Sequence, residues 1–176
     1  MSESSAEQAI DPASFYGTVR NLESQAGVRL SDVERLLLVC DGTVTHMLEA
    51  LTRESVDVVV LAQHRDGGTI DRRVRLETGT GQSLLWARSV IRLDELDDSV
   101  TDSLLEEDIG IGRALRKADV ETRRVICGLS IYEPNEQQFP AFVPVTVGTL
   151  VARTYQIFKS DEPIMTIREY LPFGRF

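Results

Sequence analysis

The chain has 176 residues, 28 of them acidic and 19 Lys or Arg, for a formal charge of −9. That length fits one domain able to bury its own core, and that charge makes nucleic acid a poor partner. No apolar run reaches the ~20 residues of a membrane span, and the opening MSESSAEQAIDPAS lacks the basic and apolar regions of a secretory signal. Residues 1–12 read as a flexible polar tail and 13–176 as the domain. Cys40 and Cys127 lie far apart in apolar runs, without metal-like spacing, and read as buried thiols of a cytoplasmic protein.

A first helix is predicted over Asp11–Gly27, with Asp11 as N-cap and Pro12 as the first helical residue. Ser31–Leu38 fits a helix start or a short strand, because its period does not decide. Asp41-Gly42 is a break, after which Val44, Met47, Leu48 and Leu51 recur at helical spacing through Arg53. From Ser55 the period becomes two. Strands are expected over Ser55–Gln63, Ile70–Glu77 and Ser83–Leu93, separated by turns at Arg65–Gly68 and Gly79–Gly81. In the second of these, Arg72, Val74 and Leu76 face one way, and Asp71, Arg73, Arg75 and Glu77 the other.

The stretch Asp94–Asp108 carries eight acidic residues and no basic one, which reads as a solvated face. Asp97–Glu107 is a short helix, Ile109–Arg113 an interruption, and Arg113–Ala118 its resumption. A strand follows over Glu121–Tyr132. Glu133–Gly148, with three of the six prolines, is an irregular excursion. Thr149–Lys159 and Pro163–Leu171 are the last two strands, joined by a turn at Ser160–Glu162. The connections are too short for parallel crossovers. The fold class expected is α+β, one domain with a mainly antiparallel six-stranded sheet.

Common catalytic signatures are missing. Gly110-Ile111-Gly112 has Leu115 where a dinucleotide fingerprint needs glycine. His46 and His64 have no metal-ligand spacing, and no Ser or Cys sits in a nucleophile elbow. A site with neither metal nor cofactor stays open. The basic pairs Arg72-Arg73 and Arg123-Arg124 fall in strand-like segments. On the last strand Glu169 shares a face with Met165, Ile167 and Leu171. A carboxylate on an apolar face is costly unless paired or protonated. Two readings stay open: an edge position or partnership with a core arginine, and a carboxylate in a dry pocket that bonds a ligand hydroxyl. Arg73 is the natural second player, since a guanidinium holds a ligand carboxylate through two coplanar bonds.

Four segments in order, LLLVCDGTVTHMLEAL, RVRLETGTGQSLLWARSVI, IGIGRAL and PIMTIREYLP, resemble the chorismate lyase family over about Leu36–Pro172. The resemblance implies flap-like segments over a buried ligand site and an enzyme that eliminates pyruvate from chorismate to give 4-hydroxybenzoate, without metal or cofactor. It places the arginine that binds the ring carboxylate on Arg73, counted 15 residues back from Arg88 of the Ala-Arg pair. It places the glutamate that contacts the product hydroxyl on Glu169, and backbone contacts at Val44, beside Thr45, and at Ile111. The same fold resembles the effector-binding domain of a bacterial transcription regulator family. Those chains carry an N-terminal winged helix, for which about 30 residues ahead of the matched region are too few.

Overall fold

The computed structural model describes residues 10, 14–106 and 109–176. The expected N-cap Asp11, Pro12 and Glu107 lie outside the described residues. Helix α1 (Phe15–Ala26) begins after Ser14 and ends at Gly27, whose φ of 65° suits a residue without Cβ. Helix α2 (Asp32–Val39) resolves the ambiguous segment. Ser31 accepts from the Glu34 amide, and the Glu34 carboxylate accepts from the Ser31 amide at 2.8 Å. This reciprocal capping box satisfies two orphan donors and is worth about 1 kcal/mol. Glu34 also receives the Gly174 amide at 2.6 Å, which pins the end of the chain to α2. Helix α3 (Val44–Thr52) follows directly.

Strands β1 (Val56–Asp66), β2 (Thr69–Thr78) and β3 (Ser83–Arg92) form a meander, then helices α4 (Asp98–Glu106) and α5 (Ile111–Lys117) intervene. Strands β4 (Arg123–Tyr132), β5 (Leu150–Lys159) and β6 (Glu162–Pro172) complete one antiparallel sheet in the order β1-β2-β3-β6-β5-β4. All six strands are therefore where the alternating pattern put them, and the fold is a single α+β domain. Helix α5 starts at Ile111, two residues earlier than the sequence spacing predicts.

Helices α2 to α5 lie against one face of the sheet in two groups. Leu37, Val44 and Leu48 of α2 and α3 pack on Val56, Val74, Leu76, Leu85, Ala87 and Leu171. Val100, Leu104, Ala114 and Leu115 of α4 and α5 pack on Ile70, Ile91, Ile126, Ile157 and Met165. A gap remains between the two groups. The Pro-rich excursion covers the opposite face, where Phe139, Phe142 and Val143 pack on Trp86, Tyr132, Leu150 and Tyr170.

Candidate active site

The gap between the helix groups is a cavity of about 340 Å³, within the size range of small-molecule sites. Its floor is the helix-facing side of the sheet: Arg72, Val74, Ala87, Ser89, Ile167 and Glu169 among others. Period-two alternation selects these residues, and strand register brings them together. Ala87, Glu169 and Arg153 lie opposite one another on β3, β6 and β5, and Arg72 lies opposite Ser89. The walls are the starts of α3 and α5, with Thr43, Val44 and Thr45 on one side and Gly110, Ile111 and Gly112 on the other.

Four of the expected site residues, Val44, Thr45, Ile111 and Glu169, line this cavity. Arg73 and Arg88 do not, and this corrects the position-by-position carry-over. The two arginines are directly opposite each other on β2 and β3. Directly paired residues share a sheet face, so counting back from Arg88 commits both to one side, and that side points away from the helices. There Asp71 pairs with Arg88 at 2.6 Å and approaches Arg73 at 3.8 Å, and Arg73 lies 5.8 Å from the Phe142 ring centroid. A one-residue step along a strand reverses the face. The arginine inside the cavity is the neighbour, Arg72, only 1% exposed.

Glu169 is buried, and it has the core-arginine partner that its place on an apolar face called for. Its carboxylate accepts from Arg153 Nε at 2.7 Å and from the Tyr155 hydroxyl at 2.9 Å. Arg153 extends further. Its Nη1 donates to the carbonyl of Leu37 at 2.6 Å and to that of Cys40. One guanidinium therefore ties the cavity carboxylate to the turn that precedes α3. Burial alone would lower the Arg153 pKa, but the charges of Glu169 and Tyr155 and the bond to Glu169 reverse this and hold it above its ordinary value. Sequence reasoning missed Arg72, Arg153 and Tyr155, although all three stand among apolar residues on alternating strands.

Burial first, and then the neighbouring carboxylate, push the Tyr155 phenol well above its ordinary range. The folded state then keeps a proton that the unfolded chain releases near pH 10. This contribution is complete below that pH and is lost as pH rises through the folded value. In denaturant titrations between about pH 9 and 11.5, wild-type stability should fall more steeply than that of Tyr155→Phe; equal slopes would dissociate Tyr155 from this behaviour.

Helix geometry leaves the first amides of α3 without intrahelical acceptors. Thr43, its N-cap, makes no side-chain capping bond. Those amides, with the positive end of the helix dipole, border the cavity at Val44 and Thr45. Among the described residues, no cluster of three or more His, Cys, Asp or Glu is arranged to hold a metal ion. No described helix is long and apolar enough to cross a membrane.

Residues 38–175 match the family model described as chorismate pyruvate-lyase Rv2949c-like. The chain belongs to that family. A relative of this chorismate pyruvate-lyase-like chain, from Methanocaldococcus jannaschii and named "Putative lyase MJ0807", is 31% identical over 145 residues, 80% of this chain and 78% of that one. Among solved structures, the effector domain of PhnF from Mycobacterium smegmatis superimposes with a TM-score of 0.53 at 12% identity, covering 76% of this chain and 90% of that one. PhnF itself gives a TM-score of 0.53 at 12% identity, covering 77% of this chain and 65% of that one. At such identity the likeness is one of fold alone. It fits the antiparallel sheet of this family member and says nothing of its chemistry.

Proposed function

We propose that the protein is a chorismate pyruvate-lyase: it eliminates pyruvate from chorismate and leaves 4-hydroxybenzoate. The observation that carries this reading is a cation and a carboxylate, Arg72 and Glu169, both buried in the floor of one cavity. They match the two ends of the ring product, a carboxylate and a hydroxyl. Arg72 holds the ring carboxylate through paired charge-assisted bonds. Glu169 accepts a bond from the ring hydroxyl. A carboxylate has about four acceptor positions, and Arg153 and Tyr155 use one on each oxygen. Amides at the start of α3 lie within the same enclosure.

In the reaction the ring C–O bond to the enolpyruvyl group breaks and a proton leaves the adjacent ring carbon. The electron pair of that C–H bond completes the aromatic ring. Aromatisation supplies the driving force, so the chain needs mainly to orient the substrate and exclude water. Glu169 sits at the hydroxyl-bearing carbon, where proton transfer occurs. Glu169→Gln leaves Arg153 without its counter-charge, so it should melt earlier than wild type; assayed below its melting temperature, its turnover number is expected to fall by about 100-fold, the middle of the range for a lost acid–base group. An unchanged turnover number would remove Glu169 from the chemistry.

The test of the function is to incubate purified protein with chorismate, adding neither metal nor cofactor, and to follow both products. Equal amounts of pyruvate and 4-hydroxybenzoate are expected. Folded protein that binds chorismate and releases neither would be a binding module of the same fold.

A further inference from the structure

The cations around the cavity are graded in depth. Arg72 is buried in the floor, Arg124 is half-buried on β4, and Arg113 and Arg116 are exposed on α5. Four of the 17 arginines of a chain carrying −9 thus border one space. Its acidic residues are Glu49, Asp57 and Glu169, and the last is matched by Arg153.

Arg72 and Arg124 stand on the same face of the sheet, toward its opposite edges. Strand β2 is second from one edge, β4 is the other edge, and β3, β6 and β5 lie between them. Four strand spacings put their backbones on the order of 19 Å apart. Two arginine side chains reaching inward across that span leave room for a single ring with a short substituent. Arg124 is opposite Ile157, and both line the cavity, so it faces inward from its edge strand. Its guanidinium sits where the two walls meet. Nη1 donates to the Asp41 carbonyl at 3.5 Å, the long limit of a hydrogen bond, and Nη2 lies 3.9 Å from where a Cβ on Gly112 would stand. A carboxylate displaces so long a contact at little loss.

We propose that Arg124 is a second carboxylate-binding position, so that the cavity selects ligands carrying two carboxylates separated by one ring. This rests on the lyase reading and names its specificity determinant: Arg72 takes the ring carboxylate and Arg124 that of the enolpyruvyl group, with Arg113 and Arg116 drawing the dianion in. After cleavage each product keeps one carboxylate and one anchor. Chorismate is then held at both ends and its products at one, which favours their release.

The experiment compares wild type with Arg124→Gln and Arg124→Lys, each checked for an unchanged melting temperature. The KM for chorismate should rise about 30-fold in the glutamine variant, the loss of a charge-assisted bond pair. The turnover number and the inhibition constant of 4-hydroxybenzoate should stay within about twofold, and lysine should recover part of the loss. Calorimetric titration with chorismate and with 4-hydroxybenzoate reads the same difference without turnover. A protein that binds chorismate but does not consume it would sink the lyase reading and leave this inference standing, provided the Arg124→Gln loss is confined to the dicarboxylate. Equal weakening for both ligands, or no weakening for chorismate, overturns it. Should Arg124→Gln melt early, Arg113→Gln serves in its place and is expected to show a smaller loss of the same selectivity; a loss common to both ligands there also overturns it.

Discussion

Arg72→Met should raise the KM for chorismate by about 100-fold or more while the protein stays folded. Two charge-assisted hydrogen bonds in a water-poor cavity are worth about 3 kcal/mol, which is about 100-fold in affinity. Methionine keeps most of the length and apolar stem of the arginine, and a melting curve of the same variant checks that the protein stays folded. The informative control is the adjacent Arg73→Met. Arg73 is part of the outer face beside Asp71 and Phe142, and kinetics within about twofold of wild type are expected there, as for surface changes away from a site. The reverse pattern, with Arg73 essential and Arg72 dispensable, would return the anchoring role to Arg73 and place the ligand on the opposite face.

Arg153→Met should be the most destabilising single change at the site. The guanidinium and the Glu169 carboxylate are 1% and 4% exposed, so the carboxylate would be left buried without its cation. Breaking one partner of such a pair costs about 3–5 kcal/mol, a fall in melting temperature on the order of 10 °C for a chain of this length. The carbonyls of Leu37 and Cys40 would lose their donor in the same step. Adding Glu169→Gln removes the stranded charge, so the double variant should regain much of the stability while remaining inactive. A single variant that melts like wild type would show that Arg153 is not what holds the carboxylate.

The contrast between Arg72 and Arg73 marks where sequence reading worked and where it stopped. Alternation put Arg72 on the face of Val74 and Leu76, and Arg73 on the face of Asp71, as the strand has them. The carry-over to Arg73 rests on a count along the chain. Such a count crosses a hairpin with an irregular register at Leu76 and Glu77, and one residue of slip exchanges the faces. Glu169 was legible because a carboxylate among Met165, Ile167 and Leu171 needs a partner. The partner was not, since Arg153 meets it only through the register of β5 against β6. The period of Ser31–Leu38 leaves α2 open, although Ser31 and Glu34 spell a capping box. The excursion over residues 133–148 has no period, so nothing local states which face it covers.

The sheet order has a consequence for how the site comes into being. The sixth strand of the chain is central, between β3 and β5. Until it is placed, β1–β3 and β4–β5 are two separate half-sheets without a shared edge. Arg72 belongs to one half, Arg153 and Tyr155 to the other, and Glu169 to the strand that joins them. The pocket is therefore completed only by the long-range pairing of β3 with β6, a contact of the kind that slows folding. A ligand that fits it acts as a clasp across the seam, and its occupancy should report whether the two halves have closed.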